Sequence, residues 1–573
     1  MRSITLSRIP FALLLATSLA RAQIGVELVS LNTQGVSGNG MSGATPASIS
    51  SDGRFVAFDS AATDLVPGDT NGWFDVFVRD TALGTTRAVS VTPTGALATL
   101  GGRSPRMSWD GRYVAFLSNS QDLVAAPVTR TCLFVRDLQL GTTELITLAH
   151  DGSAANGDTQ YLDITPDGRF IAFSSDAWNL TPSDTNFSIP DVFVFDRASG
   201  SLELVSRASD GSQADLDSWE PSISADGRFV AFTSWANNLS DLDGFDWDVY
   251  LRDRSAGTTS LVNVTSAGVG ASLYSEAPTI APDGSCVYFI SFSPELANFD
   301  VDNQFDAFRY DRLQQKVGLV STIGNGNPSD LPQLVGSTDA YGRLAGLDAL
   351  GDGVLDPNEQ NGFRDVGWVD VANDQMHLAS VAPSGSGGND ESWLAELSAD
   401  GRSVAFGGRA SNLAAGDANG HEIDVFVARI GAPTVVAYCT AKTNSQGCVP
   451  RIDGAGALFV GLAAPSTVRV TGFVNQKTGL FVLGANSLGL PFGGGTLCVA
   501  ALKRTAAGST GGTVGATDCS GGLALDLAAL VKSGALPWAQ VGTSLCIQGW
   551  QRDPLAAIAP IGLSDALRFE VLP

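Results

Sequence analysis

A short acidic pattern keeps returning along this 573-residue chain. It reads Asp69-Thr-Asn71-Gly-Trp-Phe-Asp75, then Asp184-Thr-Asn186-Phe-Ser-Ile-Pro-Asp191, then Asp241-Leu-Asp243-Gly-Phe-Asp246-Trp-Asp248. Asp300-Val-Asp302-Asn-Gln-Phe-Asp306 and Asp417-Ala-Asn419-Gly-His-Glu-Ile-Asp424 follow the same plan, and a longer version carries Asp352, Asp356, Asn358 and Glu359. Side-chain oxygens one residue apart, with another carboxylate a few residues on and in several copies a glycine, make the oxygen-rich turn that a hard cation such as Ca²⁺ takes as its ligand set. These residues are the candidate metal ligands, with a structural Ca²⁺ as the expected cofactor. The same residue types also build turns without metal, and Asp75 and its equivalents can cap a loop or bond a neighbouring backbone. A third use of the same charge is to hold a cationic or polar ligand directly.

Other reactive patterns are sparse. The chain has three histidines, His150, His377 and His421, which read as structural or solvated. No Gly-x-Ser-x-Gly elbow, His-Glu-x-x-His zincin motif, phosphate loop or dinucleotide glycine pattern occurs. Paired carboxylates could serve glycoside hydrolysis. No catalytic residue is assigned from sequence, and a non-enzymatic role is the main expectation.

The elements that carry the acids come from a repeat. Pro221-Ser-Ile-Ser-Ala-Asp-Gly-Arg-Phe-Val-Ala-Phe232 has relatives around Gly53, Gly111, Gly168, Gly284 and Gly401, and a worn copy at Ala340-Tyr-Gly-Arg-Leu-Ala-Gly346. From one marker glycine to the next the step is 57 to 59 residues. A fixed period of this length is the mark of a repeat architecture. Each copy reads as four short strands. Strand a is the Ser-Ile-Ser segment and Asp-Gly is a tight turn. Strand b is Phe-Val-Ala-Phe, strand c is typified by Asp75-Val-Phe-Val-Arg-Asp80, and strand d by Glu203-Leu-Val-Ser206. Seven copies of four antiparallel strands give an all-β, seven-bladed β-propeller. The last copy stops after strand c, while a spare d-type strand, Val26-Glu-Leu-Val-Ser30, stands ahead of the first repeat. Borrowing it would complete blade 7 and hide two sheet edges. In such a ring the short a–b and c–d turns lie on one face. The long b–c and d–a loops, acids included, lie on the other, the usual place for binding. Trp73, Trp178, Trp235, Trp247 and Trp393 fall in or beside these loops and strand ends.

The phrase Ser-x-Asp-Gly-Arg-x-Val-Ala-Phe, with Asp-Val-Phe-Val-Arg-Asp and Thr-Thr-x-Leu-Val-Ser, resembles the WD40-like repeat of TolB-type propellers over residues 24–430. That type is more usually six-bladed, so the count of seven comes from the spacing in this chain. The resemblance implies binding of proteins, peptides or carbohydrates; some members carry fused hydrolase domains. The long acidic loop at 352–359 partly resembles EF-hand-like calcium loops, without their full Asp-x-Asp-x-Asp-Gly start.

The ends frame this ring. Residues 1–22 show the layout of a signal peptide: Arg2 and Arg8, an apolar run over 9–19, then Ala20-Arg21-Ala22. The chain is therefore expected to be exported, whether secreted, periplasmic or at the cell surface. The propeller is expected over 23–430 and a second, Cys-containing unit over 431–573, read as a β-sandwich-like domain. That unit holds five of the seven cysteines, with Cys439–Cys448 and Cys498–Cys519 as expected disulfides and Cys132 and Cys286 unbridged. Two of its segments, at 491–498 and 562–569, are similar to a module at the ends of other exported bacterial proteins. The net charge of −25 and the lack of a basic run exclude a nucleic-acid footprint. No later run has the ~18 apolar residues of a membrane helix. The expectation is a monomeric, exported binding or scaffold propeller whose acidic long-loop face meets a protein, peptide or glycan. A polysaccharide hydrolase or lyase and an envelope assembly component are the alternatives.

Overall fold

The structure is a computed structural model. It describes residues 23–242, 246–297, 305–320, 322–323, 327–328, 332–340, 342–350, 355, 362–371 and 375–430, and beyond these mainly strand segments between 435 and 572. Seven four-stranded antiparallel sheets follow one another as blades. Blade 1 consists of Ser48–Ile49, Phe55–Ser60, Asp75–Asp80 and Thr85–Ala88, strands a to d. Blade 3, from Thr159–Ile164 to Ser201–Leu204, and blade 4, from Ser218–Ile223 to Thr258–Leu261, repeat the plan at full length. Blade 7 has Ser392–Leu397, Ser403–Gly408 and Asp424–Ile430, and its fourth strand is Gln23–Leu28. That strand runs antiparallel to strand c, with Gln23 opposite Ile430 and Leu28 opposite Phe426. The expected ring closure is what the chain forms.

The repeat phrase explains the packing. The Phe ending strand b's apolar run faces the aromatic of strand c: Phe116 with Phe134, Phe173 with Phe193, Phe232 with Tyr250, at centroid distances of 5.6–5.9 Å. These rings are fully buried, each contributing roughly 2–3 kcal/mol. In blade 6 this place holds Leu347 opposite Gly367, and the large buried ring, Trp368, stands one residue further along strand c, opposite Gly346.

The Asp-Gly-Arg turn is equally committed. In blade 1 the Asp52 carboxylate accepts from Ser50 Oγ and Arg54 N–H, and the Phe55 N–H donates to Ser50 Oγ. Gly53 supplies φ +73°, which a left-handed turn position needs. Arg54 then reaches Asp80, the last residue of strand c, at 2.7 Å and stacks on Phe55. Arg112, Arg169 and Arg228 repeat this on Asp137, Asp196 and Asp253. In the worn sixth copy Asp339 does the same work, accepting from Arg343 and Leu344 N–H.

The a–b turns are also stitched blade to blade. Ser51 N–H donates to Trp109 O, Trp109 N–H to Pro166 O, Ala225 N–H to Pro282 O, Ala340 N–H to Ala399 O and Asp400 N–H to Ser51 O. The two links missing from the series start at Pro166 and Pro282, which have no N–H to give.

Beyond the propeller, Val435–Tyr438, Ile561–Leu572, Ser544–Arg552 and Thr478–Gly484 form one antiparallel ladder, and Arg451–Gly454, Thr467–Phe473 and Gly521–Asp526 another. The expected β content is present; the sandwich arrangement remains an expectation. The expected Cys439–Cys448 and Cys498–Cys519 pairs lie outside the described side chains. Cys132 and Cys286 are buried free thiols, as expected. Among the described residues no helix is long and apolar enough to cross a membrane. Residues 1–22 lie outside the described part.

Candidate functional site

Two regions of the long-loop face carry polar chemistry: the acidic b–c loops and the central funnel. In the loops, strand c opens on an Asp that the fold uses inward. Asp75, Asp191, Asp248, Asp306 and Asp424 are at most 1% exposed. Asp75 Oδ1 accepts from Ser90 Oγ at 2.7 Å, and Ser90 Oγ takes the Val76 N–H. Ser206 serves Asp191 and Val192, Ser380 serves Asp365 and Val366, and Ser30 serves Asp424 and Val425. Asn263 takes the place of serine beside Asp248. Asp75, Asp191, Asp248, Asp365 and Asp424 therefore tie strand c to the end of strand d. They are buried, not displayed on the surface of the long-loop face.

The other loop residues close over them. Asn71 Nδ2 donates to Asp75 Oδ2 and Ala98 O in blade 1. In blade 3 Asn186 Nδ2 donates to Ala214 O, while Gln213 Nε2 bridges Asp184 Oδ1 at 2.9 Å and Asp191 Oδ2 at 2.7 Å. In blade 7 Asn419 Nδ2 donates to Gly38 O. Burial pushes Asp191 and Asp424 up to about 7 and Asp75 up to about 6, opposed by their serine bonds and reinforced by the neighbouring Asp184, Asp417 and Asp69. The sequence-stated sets Asp69/Asn71/Asp75, Asp184/Asn186/Asp191 and Asp417/Asn419/Asp424 are thus each brought together. Asp241 is exposed, whereas Asp248 is buried. Asp243, Asp300, Asp302, Asp352, Asp356, Asn358 and Glu359 lie outside the described residues.

The funnel was not read from the sequence. Strand a of every blade lines a central channel. Five residues ahead of each marker glycine stands a polar residue: Ser48, Arg106, Asp163, Ser222, Thr279, Ser337 and Glu396. All seven line one cavity of about 190 Å³. This regularity at a fixed offset was the available signal. Members of this belt bond the next blade: Met107 N–H to Ser48 Oγ, Ile223 N–H to Asp163 Oδ2, Ile280 N–H to Ser222 Oγ and Leu397 N–H to Ser337 Oγ. Arg106 lies 3.8 Å from Glu396, and its charge opposes the effect of burial, which raises both Asp163 and Glu396.

Towards the long loops the channel widens to a cavity of about 570 Å³ whose lining includes Arg103, Arg106, Asp158, Tyr161, Glu220 and Glu396. Its wall is shaped by bulges. The a–b ladder slips in register at Arg103/Arg106, Thr159/Leu162, Trp219/Ser222, Glu276/Thr279 and Trp393/Glu396. Ser104, Glu220, Ala277 and Leu394, seven residues ahead of their marker glycines, have φ of 52–62°, an uncommon state for residues with a side chain. Acceptors from the preceding blade hold three of them: Thr45 Oγ1 takes Ser104 N–H, Glu220 Oε2 takes Ala277 N–H and Asp348 Oδ2 takes Leu394 N–H. Burial raises Glu220; burial raises Glu276 too, with Glu220 adding to it. Tyr161 is raised by burial and then by both acids. Tyr161 packs edge-on to Trp219 at 6.2 Å.

Aromatic exposure is one-sided. Among the described residues the exposed rings are Trp73, Tyr161, Trp178, Phe187, Trp235, Tyr274 and Phe363, all on the long-loop face. The exposed apolar tips of the opposite face are Leu83, Leu140 and Leu313. Trp178 meets Phe187 edge-on and Trp235 stacks on Trp247. Trp393 is half-buried, with Arg409 over its ring. The histidines stand outside the funnel: His150 contacts Asn179 O, His377 stacks on Trp368, and His421 bonds Asp390.

Ladders, turns and closing strand together define a seven-bladed, four-stranded β-propeller. No family model and no curated protein matches the chain. Among solved structures it is similar to TolB from Acinetobacter baumannii, at 14% identity and a TM-score of 0.32, over 60% of this chain and 66% of that one. It thus spans just under two thirds of that protein's length. It is also similar to the β-propeller domain of the Trilobed protease from Pyrococcus furiosus, at 12% identity and a TM-score of 0.40, over 68% of this chain and 95% of that domain. A third is the Pyrococcus horikoshii acylaminoacyl peptidase, at 10% identity and a TM-score of 0.38, over 76% of this chain and 59% of that one. The fold assignment rests on the blade ladders themselves.

Proposed function

We propose that this is an exported binding protein that takes a glycan on the long-loop face of its propeller, over the mouth of the funnel. The observation that carries this reading is the one-sided display of exposed rings around a carboxylate-lined cavity. Flat aromatic faces give a sugar an apolar platform, and Tyr and Trp combine contact area with little entropy loss on binding. The funnel's carboxylates and the polar d–a loops supply hydrogen-bond partners for hydroxyls. Export rests on the signal-like layout of residues 1–22. Hydrolysis of the same glycan is a second reading, favoured by the way burial and Glu220 disfavour the ionisation of Glu276 beside Tyr161. Against it, Glu220 already accepts from Ala277 N–H and Thr233 Oγ1, as a structural cap does.

The test is a tryptophan-fluorescence titration with soluble β-glucan, xylan and chitin oligosaccharides. Saturable binding to one of them, weakened at least tenfold in Tyr161→Ala or Trp178→Ala, is the expected result. Flat titrations across the panel, with binding to basic peptides instead, would overturn the glycan reading. New reducing ends, lost in Glu276→Gln, would move the assignment to hydrolysis.

A further inference from the structure

The b–c loops of blades 3 and 7 are the same construction with one difference. In blade 3 the Gln213 amide donates to both carboxylates, at Asp184 Oδ1 and Asp191 Oδ2. The matching atoms of blade 7 are Asp417 Oδ1 and Asp424 Oδ2. Both are shielded from solvent with no donor in hydrogen-bond geometry, although the Asn419 side chain stands close enough to Asp424 to favour its charged form; Asn419 Oδ1 is orphaned as Asn186 Oδ1 is in blade 3. Asp424 as a residue is fully buried. The position of Gln213 is taken by Ser37, as the matching bridges Arg207 to Gln213 and Leu31 to Ser37 establish. Ser37 is too short to span the pair, and its Oγ accepts the Ala418 N–H. Orphaned buried oxygens of this kind are costly, and a pair of carboxylates most of all. A cation standing where the amide stands in blade 3 would satisfy both oxygens at once.

We propose that Asp417, Asn419 and Asp424 of blade 7 bind a divalent cation, Ca²⁺ by the character of the donors, and that this ion clasps the closing strand to the rest of the ring. Ca²⁺ accepts carboxylate, amide and backbone oxygens together with water. Among the described residues no three His, Cys, Asp or Glu side chains gather as a metal-ligand set, so here the two carboxylates and the Asn419 oxygen would be completed by backbone oxygens and water. The location gives the ion its role. Every neighbour of this loop across the seam belongs to the amino-terminal segment. Ser30 Oγ bonds Asp424 at 2.5 Å, Ser37 N–H donates to Gly416 O, and Asn419 reaches Gly38 O. An ion on Asp417 and Asp424 therefore stiffens the point where residues 23–38 meet residues 416–430.

The experiment is thermal unfolding of the exported chain from Gln23 onward, after EDTA treatment and dialysis, then with millimolar Ca²⁺. Amide exchange of residues 23–28 is followed in parallel. The expected result is a rise of several degrees in Tm and slower exchange in the closing strand with Ca²⁺. Both effects should be lost in Asp417→Asn and kept in Asp184→Asn, whose loop already has its amide. Ser37→Gln imports the blade 3 arrangement and is expected to make stability indifferent to Ca²⁺, which keeps the test open if Asp417→Asn fails to fold. No shift with Ca²⁺, Mg²⁺ or Mn²⁺ would overturn the proposal. A shift that survives in both Asp417→Asn and Ser37→Gln would also overturn it, by placing the ion elsewhere.

Discussion

Asp348 shows how a single buried carboxylate is tuned to its job. It sits in strand b of blade 6 and accepts Leu394 N–H at 2.6 Å and Ala395 N–H at 3.0 Å from the bulge of blade 7. Burial raises it to about 6 against an ordinary value of 3.8, and the two N–H bonds only partly offset that. A folded-state value above the unfolded one means that the folded chain holds the extra proton. The resulting stability is complete below about pH 3.8 and is lost as pH rises through about 6. Its size is on the order of 2–3 kcal/mol. Asp348→Asn removes this titration. The expected outcome is a flatter dependence of unfolding free energy on pH between 4 and 7 than in the unaltered protein, measured by urea denaturation. At this scale the sequence was only half legible. The Asp-Gly-Arg phrase announced a turn, and its partners are where the turn needs them. Thr45, Glu220 and Asp348 cap equivalent bulges from different offsets and with different side chains, so no repeating signature marks them.

The strands were legible because each is short, apolar in alternate positions and bounded by turn residues. The funnel they build was not, for two reasons. The bulges carry no glycine where φ turns positive, as Glu220 and Leu394 show. The belt of Arg106, Asp163 and Glu396 also reads as ordinary strand polarity until the ring brings the inner strands around one axis. Glycine is required elsewhere. At Gly101, with φ +62°, an added Cβ would lie 1.9 Å from Phe74 O. Gly101→Ala is therefore expected to destabilise by more than about 2 kcal/mol. Ala225→Pro gives the contrasting case, because blades 3 and 5 already carry proline at that place. It removes one N–H bond worth roughly 0.5–1.5 kcal/mol, while stiffening the unfolded chain returns about 0.4–1 kcal/mol. Denaturant midpoints should separate the two clearly, with the proline variant within about 1 kcal/mol of the parent.

At the scale of the whole molecule the ring stands or falls with its seam. Removing residues 23–28 leaves blade 7 with three strands and a bare edge on Asp424–Ile430. The expected outcome is a lower Tm and, at high concentration, dimers formed by edge pairing, read by light scattering. A monomer with the Tm of the parent would show that closure adds nothing to stability. Seven-fold repetition made the ring readable from the spacing of glycines alone, and the leftover strand at the front announced how it closes. The acidic loops were readable as a set but not as individuals. Whether a loop meets an amide, as at Gln213, or none, as at Ser37, depends on a residue in the next connection that the acidic pattern does not contain.

Gln23 and Ile430 are partners across more than 400 residues of chain. During synthesis the strand Gln23–Leu28 emerges ahead of the seven repeats, yet its neighbour emerges only after all of them. Blades that close on themselves can fold as they appear, in order. The first strand must wait for the last. Contacts of such long sequence separation form slowly, and until this one forms, both Gln23–Leu28 and Asp424–Ile430 offer open backbone to any other chain nearby. The interval between the end of synthesis and the docking of that strand is the time in which this protein is most exposed to misassembly, and a helper that shields Gln23–Leu28 would act there.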